Sequence, residues 1–77
     1  MILKMMNANV LYENSDAIIA YVTSKVKTFD PDKFETNVKY YINDYCKKVF
    51  EIEFHPSIIN EFYEINYTNF RDIVKDN

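Results

Sequence analysis

Apolar positions recur along this chain with a period near 3.6 residues, and three stretches carry that period clearly. In "NSDAIIAYVTSKVKTFD", Ile18, Ile19, Val22, Val26 and Phe29 share one face, while Ser24, Lys25 and Lys27 share the other. Asn14 or Ser15 can cap this helix, and Asp16 in its first turn suits the helix dipole. It is expected over 15–28, because Pro31 pushes Asp30 out of helical geometry.

The second stretch opens at Asp30 as cap, with Pro31 at the first helical position. Phe34, Val38, Tyr41, Tyr45, Val49 and Ile52 then keep helical spacing, which predicts a helix over 31–53. One segment within it, "CKKVFEIEF", reads two ways. Phe50, Ile52 and Phe54 alternate with Glu51 and Glu53, as in a half-buried strand. The unbroken 3.6-residue period, with no turn residue after Lys48, favours helix.

Pro56 ends that helix and starts the next, with His55 before it as a candidate cap. Ile58, Phe62 and Ile65 form one stripe, beside Ile59, Tyr63 and Phe70. The poor helix formers of "NYTN" divide this region into helices over 56–67 and 69–76, with Thr68 as a cap. The fold expected is all-α, a compact three- or four-helix bundle in one small domain over 1–77. The alternative is α+β, with short strands at 2–11 and 49–54.

The absence of glycine reinforces the helical reading. Primed hairpin turns and phosphate-cradling loops both depend on glycine, so P-loop and dinucleotide-binding sites are excluded. The chain has one Cys and one His, too few for a structural zinc site, and no disulfide can form within it. Cys46 and His55 make no nucleophile–base pair, since about 12–14 Å of helix axis would separate them. Glu61 and Glu64 share a helix face, and Glu51/Glu53 and Asp30/Asp32 are further acidic pairs. A di-metal bundle would require Glu-x-x-His, and the histidine lies elsewhere. No catalytic residue, metal site or cofactor is expected, and the chain reads as a non-enzyme.

The net charge is −3, with the basic residues scattered and Arg71 the sole arginine. That argues against nucleic-acid binding, which needs a basic stripe, and −3 is too small for a mimic of nucleic acid. Arg71 and Lys75 are the only candidate basic end for the alternative function, a small DNA-associated regulator such as a repressor or antitoxin. No apolar run approaches the ~18 residues of a membrane helix. With an apolar but interrupted N-terminus and a free cysteine, the cytoplasm is the expected compartment, and the sequon at Asn66 is read as chance.

Asn, Ile, Tyr, Lys and Phe supply 39 of 77 residues. These have AT-rich codons, so a phage, virus or mobile element with an AT-rich genome is the expected source. Thirteen aromatics exceed what a bundle of this size readily hides, so some are expected to face a protein partner or a second copy in a homodimer. The candidate partner interface is Tyr40, Asp44, Tyr63 and Tyr67, because tyrosine gives large contact area at low side-chain entropy. The function expected is a small interaction module, a regulator or inhibitor that docks on a host or partner protein.

Overall fold

The computed structural model describes residues 8–76, so most of the strand considered over 2–11 lies outside the described residues. Within them, residues 9–13 are helical and no strand occurs. The short helix α1 (Asn9–Glu13) buries Leu11 completely. It meets α2 (Ser15–Lys25) at a single residue, Asn14. Asn14 precedes α2 as expected, but its side chain turns backwards, donating from Nδ2 to the Val10 carbonyl at 2.8 Å. That bond closes the end of α1 and leaves α2 without a side-chain cap.

Helix α2 buries Ile18, Ile19 and Val22, as the periodicity predicts, but it stops three residues short of Thr28. The cause is local. Thr23 Oγ1 donates to the Ile19 carbonyl at 2.7 Å, and Ser24 Oγ donates to the Tyr21 carbonyl at 2.6 Å. Such side chains compete with the backbone ladder. Val26 leaves in an extended conformation (φ −95°, ψ 98°) and still reaches the core. The Asp30–Pro31 unit forms a separate turn and not the first turn of a helix. Asp30 Oδ1 accepts from the Asp32 amide at 3.0 Å, and its carbonyl accepts from the Lys33 and Phe34 amides.

Helix α3 (Phe34–Tyr45) therefore starts later than expected, and its buried row of Phe34, Val38 and Ile42 continues into Cys46 just beyond its end. Tyr41 and Tyr45, assigned to the core stripe from sequence, are half-buried beside that row, and Val49 is 54% exposed. Ile42 and Cys46 are compact enough for close helix contact, while the tyrosines keep their hydroxyls near water.

From Cys46 to Phe50 the helix widens into a π-helical turn, which ends it three residues before the expected 53. The amides of Glu51 and Ile52 both converge on the Cys46 carbonyl. Glu51 then adopts left-handed geometry (φ 58°, ψ 38°). Beyond it the chain runs without regular structure to His55, burying Ile52 and Phe54 and exposing Glu51, Glu53 and His55. Both periods in "CKKVFEIEF" are therefore real, one after the other. The residues alternate as in a strand, without a strand partner among the described residues.

Left-handed geometry costs a residue with a Cβ about 1–2 kcal/mol, and glycine adopts it freely at some loss of unfolded-state entropy. Glu51→Gly is expected to gain roughly 0.5–1 kcal/mol, as a higher urea midpoint at unchanged slope. A lower midpoint would mean that residue 51 does not hold this conformation in solution.

His55 caps α4 (Pro56–Ile65) as the sequence suggests, with Nδ1 accepting from the Ser57 amide at 3.0 Å and Pro56 at the first position. Ile59, Phe62 and Tyr63 are buried, whereas Ile65 is 62% exposed. The break before α5 (Tyr67–Asp76) falls at Asn66, two residues ahead of the Thr68 cap expected. The amide and Nδ2 of Asn66 both donate to the Phe62 carbonyl, and the Asn66 carbonyl accepts from the Phe70 amide. In a chain without glycine, asparagine makes both one-residue helix junctions, each time by bonding back to the carbonyl four residues earlier.

Helix α2 packs against α3 and α5, and α4 packs against the same two, so α2 to α5 close into a ring around one core. The segment α1 lies on α2 and brings Tyr12 against Phe62, with ring centroids 5.4 Å apart.

Candidate functional site

The aromatic residues form two networks. One joins Tyr12, Phe62, Phe70, Tyr63, Tyr67, Phe34 and Phe29 through centroid separations of 4.7–6.4 Å. The other joins Tyr21, Tyr41, Tyr45, Phe50 and Tyr40. Phe54 is buried apart from both. The aromatic surplus that suggests a second copy from composition is thus largely absorbed within one chain. Tyr40 alone among the aromatics is mostly exposed, at 61%.

The four candidate interface residues do not share one surface. Tyr40 and Asp44 line a groove of about 420 Å³ between α3 and residues 53–59, floored by Phe54 and Ile59. Tyr63 and Tyr67 line a separate groove of about 480 Å³, with Phe29, Phe34 and Glu35. Tyr63 is buried, only 7% exposed, and Tyr67 is half-buried.

Tyr40 stands on the Tyr41 ring at 4.9 Å and 84°, an edge-to-face contact that braces it while leaving its surface open. Asp44 is committed internally. Its Oδ2 accepts from the Tyr21 hydroxyl at 2.5 Å and pairs with Lys48 Nζ at 3.1 Å. The Tyr21 hydrogen bond, then Lys48, holds the Asp44 carboxyl below the usual range. The same bond pushes the Tyr21 hydroxyl upwards. This cluster ties α2 to the outer side of α3 and leaves Asp44 only partly exposed.

Lys39 lines the first groove and contacts residues that line the second. Its Nζ pairs with Glu35, donates to Asn60 Oδ1 at 2.6 Å and lies 5.3 Å from the Tyr63 ring centroid. Sequence reasoning missed Lys39 and Lys48, although the Glu35–Lys39 and Asp44–Lys48 spacings are those of helical ion pairs. Nothing in the sequence signals the Tyr21 or Asn60 contacts, which cross 23 and 21 residues.

The candidate chemistry does not assemble. Cys46 is fully buried in the α3 row, and burial pushes its thiol up to about 11, the opposite of an activated nucleophile. His55 is engaged in its cap. No three His, Cys, Asp or Glu side chains converge as a metal site among the described residues. Glu53 lies 3.8 Å from Lys47, and Glu64 accepts only a long contact, 3.4 Å, from Asn60. The basic end turns onto the protein's own rings, with Arg71 over Tyr67 and bonded to Asp72, and Lys75 over Phe29. Asn66 of the sequon is buried with its Nδ2 bonded, which is incompatible with a glycan in the folded chain. No described helix is long and apolar enough to cross a membrane.

The chain matches no protein-family model, and comparison with curated proteins and with solved structures found no match.

Proposed function

We propose that this protein is a small interaction module that works without catalysis, docking on a partner protein as a regulator or inhibitor. Its composition fits a phage, virus or mobile element with an AT-rich genome acting in the cytoplasm of its host. One observation carries the reading: Tyr40 is the most exposed aromatic and is braced by Tyr41 at the rim of a groove with an apolar floor. A held tyrosine loses little rotamer freedom on binding, which is the energetic profile of an interface anchor. The neighbouring charges support a polar rim, since Lys47, Glu53 and Asp44 flank the same groove.

The test compares the wild-type chain with Tyr40→Ala. Stability should stay within about 0.5 kcal/mol, because little of the side chain is buried. Capture of the partner from host extract should fall at least tenfold, the loss of about 1.4 kcal/mol expected at a central anchor. Equal capture by both chains would end this reading. A large loss of thermal stability would move Tyr40 from surface to framework.

A further inference from the structure

Resting on the docking reading, we propose that residues 52–55 bind an extended segment of the partner protein, which pairs with them as an added β-strand while its side chains enter the groove beside Tyr40. The main chain carries the argument. Among the described residues, no amide from Glu53 to His55 donates a hydrogen bond, and no carbonyl from Glu51 to Phe54 accepts one. Yet Phe54 is only 3% exposed and Ile52 is buried as well. More than about 90% of buried backbone groups in folded proteins are paired, so the Phe54 amide and the Ile52 and Phe54 carbonyls are groups in want of a partner. A strand laid alongside supplies donors and acceptors at the spacing these groups need.

The local sequence builds this edge. The π-helical turn closes with the Glu51 and Ile52 amides on the Cys46 carbonyl, so the residues that follow have no helical bonds left to make. Ile52 and Phe54 are buried between exposed Glu51, Glu53 and His55, the one-in, one-out alternation of a strand, and His55 is extended (φ −60°, ψ 144°). An unpaired edge of this kind is a template for another chain. Glu53 and Phe54 also line the groove that Tyr40 borders, with Ile59 in its floor. Alternate side chains of an added strand therefore reach the Phe54 and Ile59 floor, so main-chain bonds give affinity and the floor selects apolar residues. A second copy of this chain is the poorer occupant. Antiparallel self-pairing centred on Ile52 sets Glu51 against a glutamate of the other copy, and pairing centred on Glu53 sets that residue against its own counterpart.

The test uses the full chain assembled by ligation at Cys46, with the amide between Glu53 and Phe54 replaced by an ester. This removes the Phe54 N–H and no side-chain atom. The probe is the tightest dodecapeptide selected on the wild-type chain from a random displayed library. In the free protein that N–H bonds to no described residue, so the melting temperature should stay within a few degrees. Peptide affinity should fall about three- to tenfold, the loss of one backbone hydrogen bond. On binding to the wild-type chain, nuclear magnetic resonance should show the Phe54 amide proton moving downfield and exchanging more slowly, against an extended peptide. Equal affinity of the ester and amide chains overturns the proposal, and so does a library that yields no binder. A peptide that binds as a helix, or leaves the amides of 53–55 unshifted, overturns it too. An unfolded ester chain does the same, since the Phe54 amide would then be bonded within the free protein. Concentration-dependent shifts at 52–55 without peptide overturn it in favour of a second copy. Loss of host-partner capture in Tyr40→Ala with full capture by the ester chain would sink the strand site and leave the docking reading standing. Loss in the ester chain with Tyr40-independent capture would do the reverse.

Discussion

Phe62→Ala is expected to leave a chain that is substantially unfolded at ambient temperature. Phe62 is fully buried on α4, and its ring packs against Tyr12 from α1 and Phe70 from α5. Truncation removes the transfer free energy of the ring and leaves a cavity bordered by three helices, for a combined cost of about 3–5 kcal/mol. Domains below about 80 residues without disulfides or metals rarely hold more than about 3–5 kcal/mol in total. The loss therefore matches the whole stability. Circular dichroism should show most helical signal gone or the melt collapsed towards low temperature. A melt within a few degrees of wild type would mean that Phe62 does not organise the core.

The second large effect is alkaline. Burial, with lesser contributions from Glu35 and Tyr67, pushes the Tyr63 hydroxyl from its ordinary value of 10.0 up to about 12. Below pH 10 the hydroxyl is protonated in both folded and unfolded chains, so this contribution is fully present. As pH rises from 10 to 12 the unfolded chain ionises and the folded one does not, and stability falls by roughly 2–3 kcal/mol from this group. Tyr12 and Tyr21 are shifted in the same direction and add to the slope. Tyr63→Phe keeps the ring and should flatten, without abolishing, the fall in unfolding free energy over that window. An identical alkaline slope in both chains would show that Tyr63 ionises freely and is not enclosed between α3, α4 and α5.

The sequence was most legible where cause and effect lie within a few residues. Proline after histidine placed the start of α4, and the buried face of α2 followed from spacing alone. The buried row of α3 was read through Tyr41 and Tyr45 instead of Ile42 and Cys46, because two adjacent rows both carry apolar side chains. Which one faces inward depends on where α2 and α4 lie, and spacing within α3 holds no information about that. The π-helical turn compounds the difficulty, since it shifts the phase and turns Val49 outwards while Ile52 and Phe54 point in. Ile65 was read as part of the α4 stripe and is exposed, at the last position of α4 before the break at Asn66.

For the candidate surface, helical spacing places Tyr40 off the Phe34–Val38–Tyr41–Tyr45 stripe, and it is outward-facing. Sequence reasoning also assigned Tyr63 and Tyr67 to the same surface. They line a different groove from Tyr40 and Asp44, with Phe29, Phe34 and Glu35. The Tyr21–Asp44 bond, which commits Asp44 inward, joins residues far apart in sequence and could not be read from local pattern.

The most direct test of the docking account is photo-crosslinking in host cells from a benzoylphenylalanine placed at position 40, with Ser24, exposed on α2, as the control position. The account predicts a discrete crosslinked product from position 40 that is absent from position 24. The same products from both positions, or none from position 40 in a chain that remains folded, would contradict it.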